Sequence, residues 1–303
     1  VLDHSLPLSA VVPVPGVAEA GLSVPRYVLG GHQEQCRPSA VGLGRDRLAI
    51  CRGELGLGEG TDDLNDTRNT QPALFVSESF LVDNLIQQGR DASLVAGHSL
   101  GELVALYAAG AFNLETGLQL MKVRSELMAA AGGGAMTAVI GFDRSQLEEL
   151  VRATDGVSIA NDNSDAQVVI SGRPDAVAAV SDQLTCKRAI PLAVSGAFHS
   201  PFMAEAAHQF SATLDAMAFH DTRIPVLSNC DPSASNTGVD LKERLKQQMT
   251  TGVRWRETMV AMTEQGVDSL VEIGPGNVLS GLAKRSMAGI TTAQISSSGD
   301  LGQ

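Results

Sequence analysis

A chain of 303 residues with 44% hydrophobic and 18% charged residues reads as globular, with enough apolar content for a sizeable core. Its 22 Lys and Arg against 34 Asp and Glu give a net charge of −12, which excludes a generic binder of nucleic acid or anionic membrane. An acidic partner would need a local basic patch, for which Lys187-Arg188 and Lys284-Arg285 are the candidates. Cys36, Cys51, Cys186 and Cys230 show no Cys-x-x-Cys spacing, so free thiols in a reducing cytoplasm are expected, not disulfides or a metal site. No run approaches the ~20 apolar residues of a membrane helix. The early apolar run ending at Ala18-Glu19-Ala20 lacks a basic start and is broken by prolines, so it is not read as a signal peptide.

In chain order, residues 1–60 carry weak periodicity and recurrent Pro and Gly, and read as loop. A helix is predicted over 72–88, stopped by Gly89. The apolar run 93–96 predicts a strand, followed by helices over 103–109 and 114–131 and a hinge at Gly132-Gly133-Gly134. Next come a strand at 136–140, a helix at 145–153 with Ser145 and Glu148 as a capping box, and strands at 157–160 and 167–171. A helix at 174–184, with Pro174 at its start, and a strand at 188–194 complete a β-α-β-β-α-β order, the ferredoxin-like arrangement. Helices at 201–218, 241–249 and 258–265, strands at 225–229 and 269–273, a Gly274-Pro275-Gly276 turn and a helix at 278–285 follow; the last dozen residues read as loose. The fold class is therefore α/β: a hydrolase-like large domain (42–133 and 201–303) with an inserted ferredoxin-like small domain (134–200), and an anomalous segment at 1–41.

Gly97-His98-Ser99-Leu100-Gly101-Glu102 joins the strand at 93–96 to a helix. A Gly-x-Ser-x-Gly string in that context predicts a sharp turn that projects the serine oxygen and sets it at a helix N-terminus, where free N–H groups can hold a developing oxyanion. Of six histidines, His199 lies at the end of a predicted strand and is the candidate base, while His98, inside the elbow, is expected to shape the turn. No Asp or Glu between Ser99 and His199 stands out as a third partner, which counts against a hydrolase triad. Arg124 alone reads as an exposed helix arginine; its functional alternative is a planar fork for a carboxylate. Gln248 and Asn161 carry no signal of their own.

The chain resembles the malonyl-CoA:acyl-carrier-protein transacylase family of type II fatty acid synthesis. The likeness is carried, over about residues 42–290, by Thr70-Gln71-Pro72-Ala73-Leu74, Ala96-Gly97-His98-Ser99-Leu100-Gly101-Glu102 and Val123-Arg124. It continues in Asn161-Asp162-Asn163-Ser164, 167–172, Ala197-Phe198-His199-Ser200, Val253-Arg254-Trp255 and Glu272-Ile273-Gly274-Pro275-Gly276. The resemblance implies that Ser99 is the acyl-accepting nucleophile and His199 its base, oriented by backbone carbonyls. It further implies that Arg124 grips the malonyl carboxylate, that Gln248 is the active-site glutamine, and that Leu100 donates an oxyanion N–H, with His98 and Asn161 beside the substrate. Malonyl-CoA and the phosphopantetheine thiol of an acyl carrier protein would be the substrates of a cytoplasmic monomer with no cofactor, no metal, no nucleic acid and no membrane partner. The elbow alone also fits a serine esterase or patatin-like hydrolase, and the altered N-terminus fits a catalytically impaired acyltransferase.

The family's opening Phe-Pro-Gly-Gln-Gly-Ser-Gln, whose first Gln gives the second oxyanion N–H, is missing. Read one nucleotide later, the codons of 12–19 can spell it at every position except Val14. Segment 1–41 is accordingly expected to be an out-of-frame reading.

Overall fold

The computed structural model describes residues 26–29, 67–194 and 196–302. Most of segment 1–41, and with it the expected frame change, the second oxyanion donor, Cys36 and Cys51, lies outside the described residues.

Two sheets organise the described residues. The larger is parallel and ordered β7-β2-β1-β8-β9, from β1 (Arg26–Leu29), β2 (Val95–Gly97), β7 (Val226–Leu227), β8 (Ser269–Ile273) and β9 (Thr291–Ile295). Strand residues alternate between two cores: Val95, Val226, Val271 and Ile273 face one, and Leu94, Ala96, Leu227 and Leu270 face the other. A parallel sheet buried on both faces in this way needs helices on both sides. The first core takes α1 (Thr67–Gln87), α2 (Leu100–Ala109) and α3 (Leu114–Ala130). The second takes α8 (Trp255–Glu264) and α9 (Val278–Ser286). Register pairs Leu29 with both Gly97 and Ile273, so the carboxyl ends of the three central strands stand level. In open α/β sheets that edge is where sites form.

The second sheet is antiparallel, ordered β4-β5-β3-β6, from β3 (Ala135–Phe142), β4 (Val157–Ser164), β5 (Gln167–Gly172) and β6 (Cys186–Pro191). Its Val139, Val168 and Ile170 pack with Leu147 of α4 (Arg144–Ala153) and Val177 and Val180 of α5 (Pro174–Gln183). Met136, Ala138, Ala160 and Val169 join the large core instead. A 3-10 turn (Pro201–Met203) and α6 (Ala204–Ala216) return the chain to the large sheet, and α7 (Gly238–Gln247) follows β7.

Several expectations are corrected. Arg26–Leu29, inside the stretch read as loop, is the middle strand of the large sheet. The tail read as loose supplies β9 and a final 3-10 turn, because β8 offers it a free backbone edge. The first helix begins at Thr67, and Pro72 stands inside it. Proline has no N–H to offer the Arg68 carbonyl, and the Ser125 hydroxyl lies 3.4 Å from it. The cap of α4 is Asp143, whose side chain accepts from the Gln146 N–H at 2.8 Å, not Ser145 with Glu148. The helix read over 201–218 is broken into the 3-10 turn and α6. The strand read over 188–194 runs Cys186–Pro191, and that at 157–160 extends to Ser164 through two irregularities. The strand read over 225–229 shrinks to Val226–Leu227, while the helices read from 241 and 258 begin at Gly238 and Trp255.

Candidate active site

The elbow forms where β2 meets α2. Gly97 makes it possible: a Cβ there would fall 1.9 Å from the Gly101 carbonyl carbon and oxygen. Gly97→Ala is therefore expected to cost more than about 3 kcal/mol, read as a lowered denaturation midpoint, since backbone cannot move aside as a side chain can. An unchanged midpoint would show that the strand and helix approach less closely than this.

Ser99 follows at φ 54° and ψ −109°, in a region that costs a non-glycine residue roughly 1–3 kcal/mol. Bonds to both of its backbone groups hold it there. Its N–H donates to Asn229 Oδ1 at 2.7 Å, and its carbonyl accepts from Gln248 Nε2 at 2.9 Å. Asn229, just past β7, also donates from Nδ2 to the Gly97 carbonyl at 2.6 Å. Ser99 is half-buried, while the side chains around it are buried. Leu100 opens α2, so its N–H is among the donors that a helix start leaves unpaired by geometry.

His199, the other non-glycine residue at positive φ among the described residues, brings Nε2 to 2.8 Å from Ser99 Oγ. Its Nδ1 faces the Gln248 backbone carbonyl at 2.9 Å, so Nδ1 carries the proton and Nε2 is free to accept. Burial lowers the imidazole pKa from 6.5 to about 4, and the nearby Arg124 cation pushes the same way. The ring is thus a neutral base at neutral pH. The acid limb of kcat/KM is expected near pH 4, with a flat rate between about 5 and 7; a limb near 6.5 would contradict it. The sign for stability follows. Between about 4 and 6.5 the unfolded chain binds a proton that folded His199 refuses. The contribution of neutral His199 is therefore full above about 6.5 and is lost as pH falls towards about 4.

Arg124, on α3, is 1% exposed. Its Nη1 donates to Gln71 Oε1, and its Nη2 and Nε donate to Gln248 Oε1 at 3.0 and 3.3 Å. Nη2 also lies 3.1 Å from Ser99 Oγ. Burial lowers its pKa to about 10, against the opposing pull of Glu102. Two amide oxygens hold this cation directly, and no carboxylate is bonded to it among the described residues. Such a site favours an anionic group arriving next to Ser99.

His98 and Asn161 are drawn in less directly. His98 is buried, with Nε2 2.9 Å from Asn163 Oδ1 and its ring edge-on to Trp255 at 5.5 Å. Asn161 sits on β4 opposite Val253, and its buried Oδ1 has no hydrogen-bond partner among the described residues. Lys187, Arg188, Lys284 and Arg285 are exposed. Among the described residues no helix is long and apolar enough to cross a membrane, and no cluster of His, Cys, Asp and Glu could hold a metal. Sequence reasoning gave no role to Asn229, Glu102 or Gln71. Their signals were present: Glu102 lies one helical turn after Ser99, Asn229 ends a predicted strand, and Gln71 sits in the Thr70-Gln71-Pro72 string.

A serine on a strand–helix elbow, a neutral histidine against its oxygen and a buried arginine beside both define a serine acyl-transfer site on an α/β scaffold. The chain belongs to the acyl transferase domain family, whose pattern matches residues 17–297. It is 45% identical over 291 residues to the malonyl CoA-acyl carrier protein transacylase of Synechocystis, covering 96% of this chain and 97% of that one. The crystal structure of Synechocystis malonyl-CoA:ACP transacylase superposes with a TM-score of 0.87 at 44% identity, over 92% of this chain and 99% of that one. A type II PKS acyl-carrier protein in complex with its malonyl-transacylase gives a TM-score of 0.82 at 32% identity, over 92% and 98%.

Proposed function

We infer that the protein is an acyltransferase that moves malonyl from malonyl-CoA to the phosphopantetheine thiol of an acyl carrier protein in fatty acid biosynthesis. The observation that carries this is the 2.8 Å contact of Ser99 Oγ with His199 Nε2 beside a buried Arg124 that, among the described residues, is bonded directly to no carboxylate. Ser99 attacks the thioester carbonyl while His199 takes its proton. The Leu100 N–H helps hold the oxyanion, CoA leaves with the proton returned by His199, and malonyl remains on Ser99. The carrier-protein thiol then attacks in the mirror sequence. The guanidinium of Arg124 pairs with the malonyl carboxylate, Gln248 keeps that guanidinium oriented, and His98 and Asn161 border the substrate.

The chemistry needs no cofactor, the chain works as a monomer, and its place is the cytoplasm. The large domain (42–133 and 201–303) is hydrolase-like. The sheet order β4-β5-β3-β6 supports a ferredoxin-like insert at 134–200. Segment 1–41 is an out-of-frame reading, which coding DNA with codons unable to spell Gln-Gly-Ser-Gln in the shifted frame would refute.

The test of the function is to incubate the protein with malonyl-CoA and a carrier protein bearing its phosphopantetheine arm, and to follow the carrier's mass. Malonyl-carrier forming faster than free malonate is the expected result. Free malonate as the main product would make the protein a hydrolase instead.

A further inference from the structure

Resting on the acyl-transfer function above, we propose that Glu102 is a positioning residue that sets Ser99 and Arg124 through the side chain of Gln248. Glu102 is 1% exposed in the first turn of α2. Its Oε2 accepts from Gln248 Nε2 at 2.7 Å and from the Asn229 backbone N–H at 3.3 Å. A glutamine amide has one accepting end and one donating end. With Nε2 claimed by Glu102 and the Ser99 carbonyl, Oε1 must face the other way, and it faces Arg124. The carboxylate thus decides which end of Gln248 meets the guanidinium. Without it the amide can turn, bringing N–H groups against a cation and releasing the strained carbonyl of Ser99. The bond to Asn229 reaches Ser99 a second way, since the Asn229 side chain holds the Ser99 N–H.

Among the described residues the other oxygen, Oε1, meets no hydrogen-bond partner in good geometry, and the Ser228 hydroxyl acts on the same carboxyl. An isosteric amide can therefore place its oxygen at the occupied position and its NH2 at the vacant one. Glu102→Gln keeps every bond that positions the site, whereas Glu102→Ala loses them. Burial raises the carboxyl's pKa, with Gln248 the strongest opposing influence, so a neutral group of the same shape suits this place.

The experiment measures the pre-steady-state rate of malonyl-enzyme formation for wild type, Glu102→Ala, Glu102→Gln, Gln248→Ala and Glu102→Ala with Gln248→Ala, each checked for cooperative unfolding. Misplaced reacting groups cost on the order of 10²-fold. Glu102→Ala is expected to lose about that factor in the acylation rate at saturating malonyl-CoA, and Glu102→Gln to stay within about tenfold of wild type. The double variant should fall well short of the product of the two single losses, as expected for groups acting in one chain. A folded Glu102→Ala within twofold of wild type overturns the proposal. So does a folded Glu102→Gln as slow as Glu102→Ala, or losses that multiply in the double variant. A wild-type protein that forms no malonyl-enzyme would instead overturn the acyl-transfer function on which the proposal rests.

Discussion

Replacing Arg124 by alanine is expected to lower kcat/KM for malonyl-CoA by about 10³-fold while changing the much slower transfer of acetyl by less than about tenfold. The asymmetry follows from the site's electrostatics. The guanidinium is buried, its pKa is pulled down to about 10, and its direct partners are the oxygens of Gln71 and Gln248. An arriving malonyl carboxylate would pair this cation; an acetyl group would leave it unpaired, and an unpaired buried charge costs several kcal/mol. Specificity at such a site comes as much from rejecting the neutral acyl group as from gripping the charged one. Parallel kcat/KM measurements on the two thioesters check it, and equal losses for both acyl groups would remove Arg124 from that role.

His199→Ala is expected to slow acylation by up to about 10⁴-fold at neutral pH and to abolish the acid limb near pH 4. The imidazole is the group within hydrogen-bond reach of Ser99 Oγ that can accept its proton; Arg124, the other neighbour, is a donor only. The Gln248 carbonyl fixes the tautomer where a hydrolase would use a carboxylate. With a neutral carbonyl on Nδ1, the ring is oriented without the directly bonded negative charge that would raise its pKa. A variant retaining more than about a tenth of the rate would mean that another group, or solvent, takes the proton.

Much of this site could be read from the sequence, and the residues that escaped did so for physical reasons. The elbow was legible because its requirement is local: Gly97 is demanded by a neighbour four residues on. The antiparallel sheet was legible because its strands alternate and its turns are marked by Gly and Pro. The middle strand of the large sheet was not. Arg26–Leu29 is a short run beside Pro25 and ahead of Gly30-Gly31, and its partners Val95–Gly97 and Ser269–Ile273 are remote in sequence. The tail escaped because Ile295 is the one residue buried in β9, so backbone pairing, not a hydrophobic face, holds that strand. The apolar periodicity begins only after Pro72, whereas the helix starts at Thr67 and runs through that proline. Arg124 read as exposed because helix periodicity cannot reveal that Gln71 and Gln248, far away in the chain, close over it. Asn229 and Glu102 were hidden for the same reason: each acts on the backbone or amide of a residue that topology alone brings near.

The central claim is that Ser99 carries the malonyl group. The most direct test is the intact mass of the folded protein after brief exposure to malonyl-CoA, alongside Ser99→Ala. The account predicts a single malonyl increment on the wild type that disappears in the variant and is discharged by a carrier-protein thiol. A folded wild type without the increment, or an increment that persists in Ser99→Ala, would contradict it.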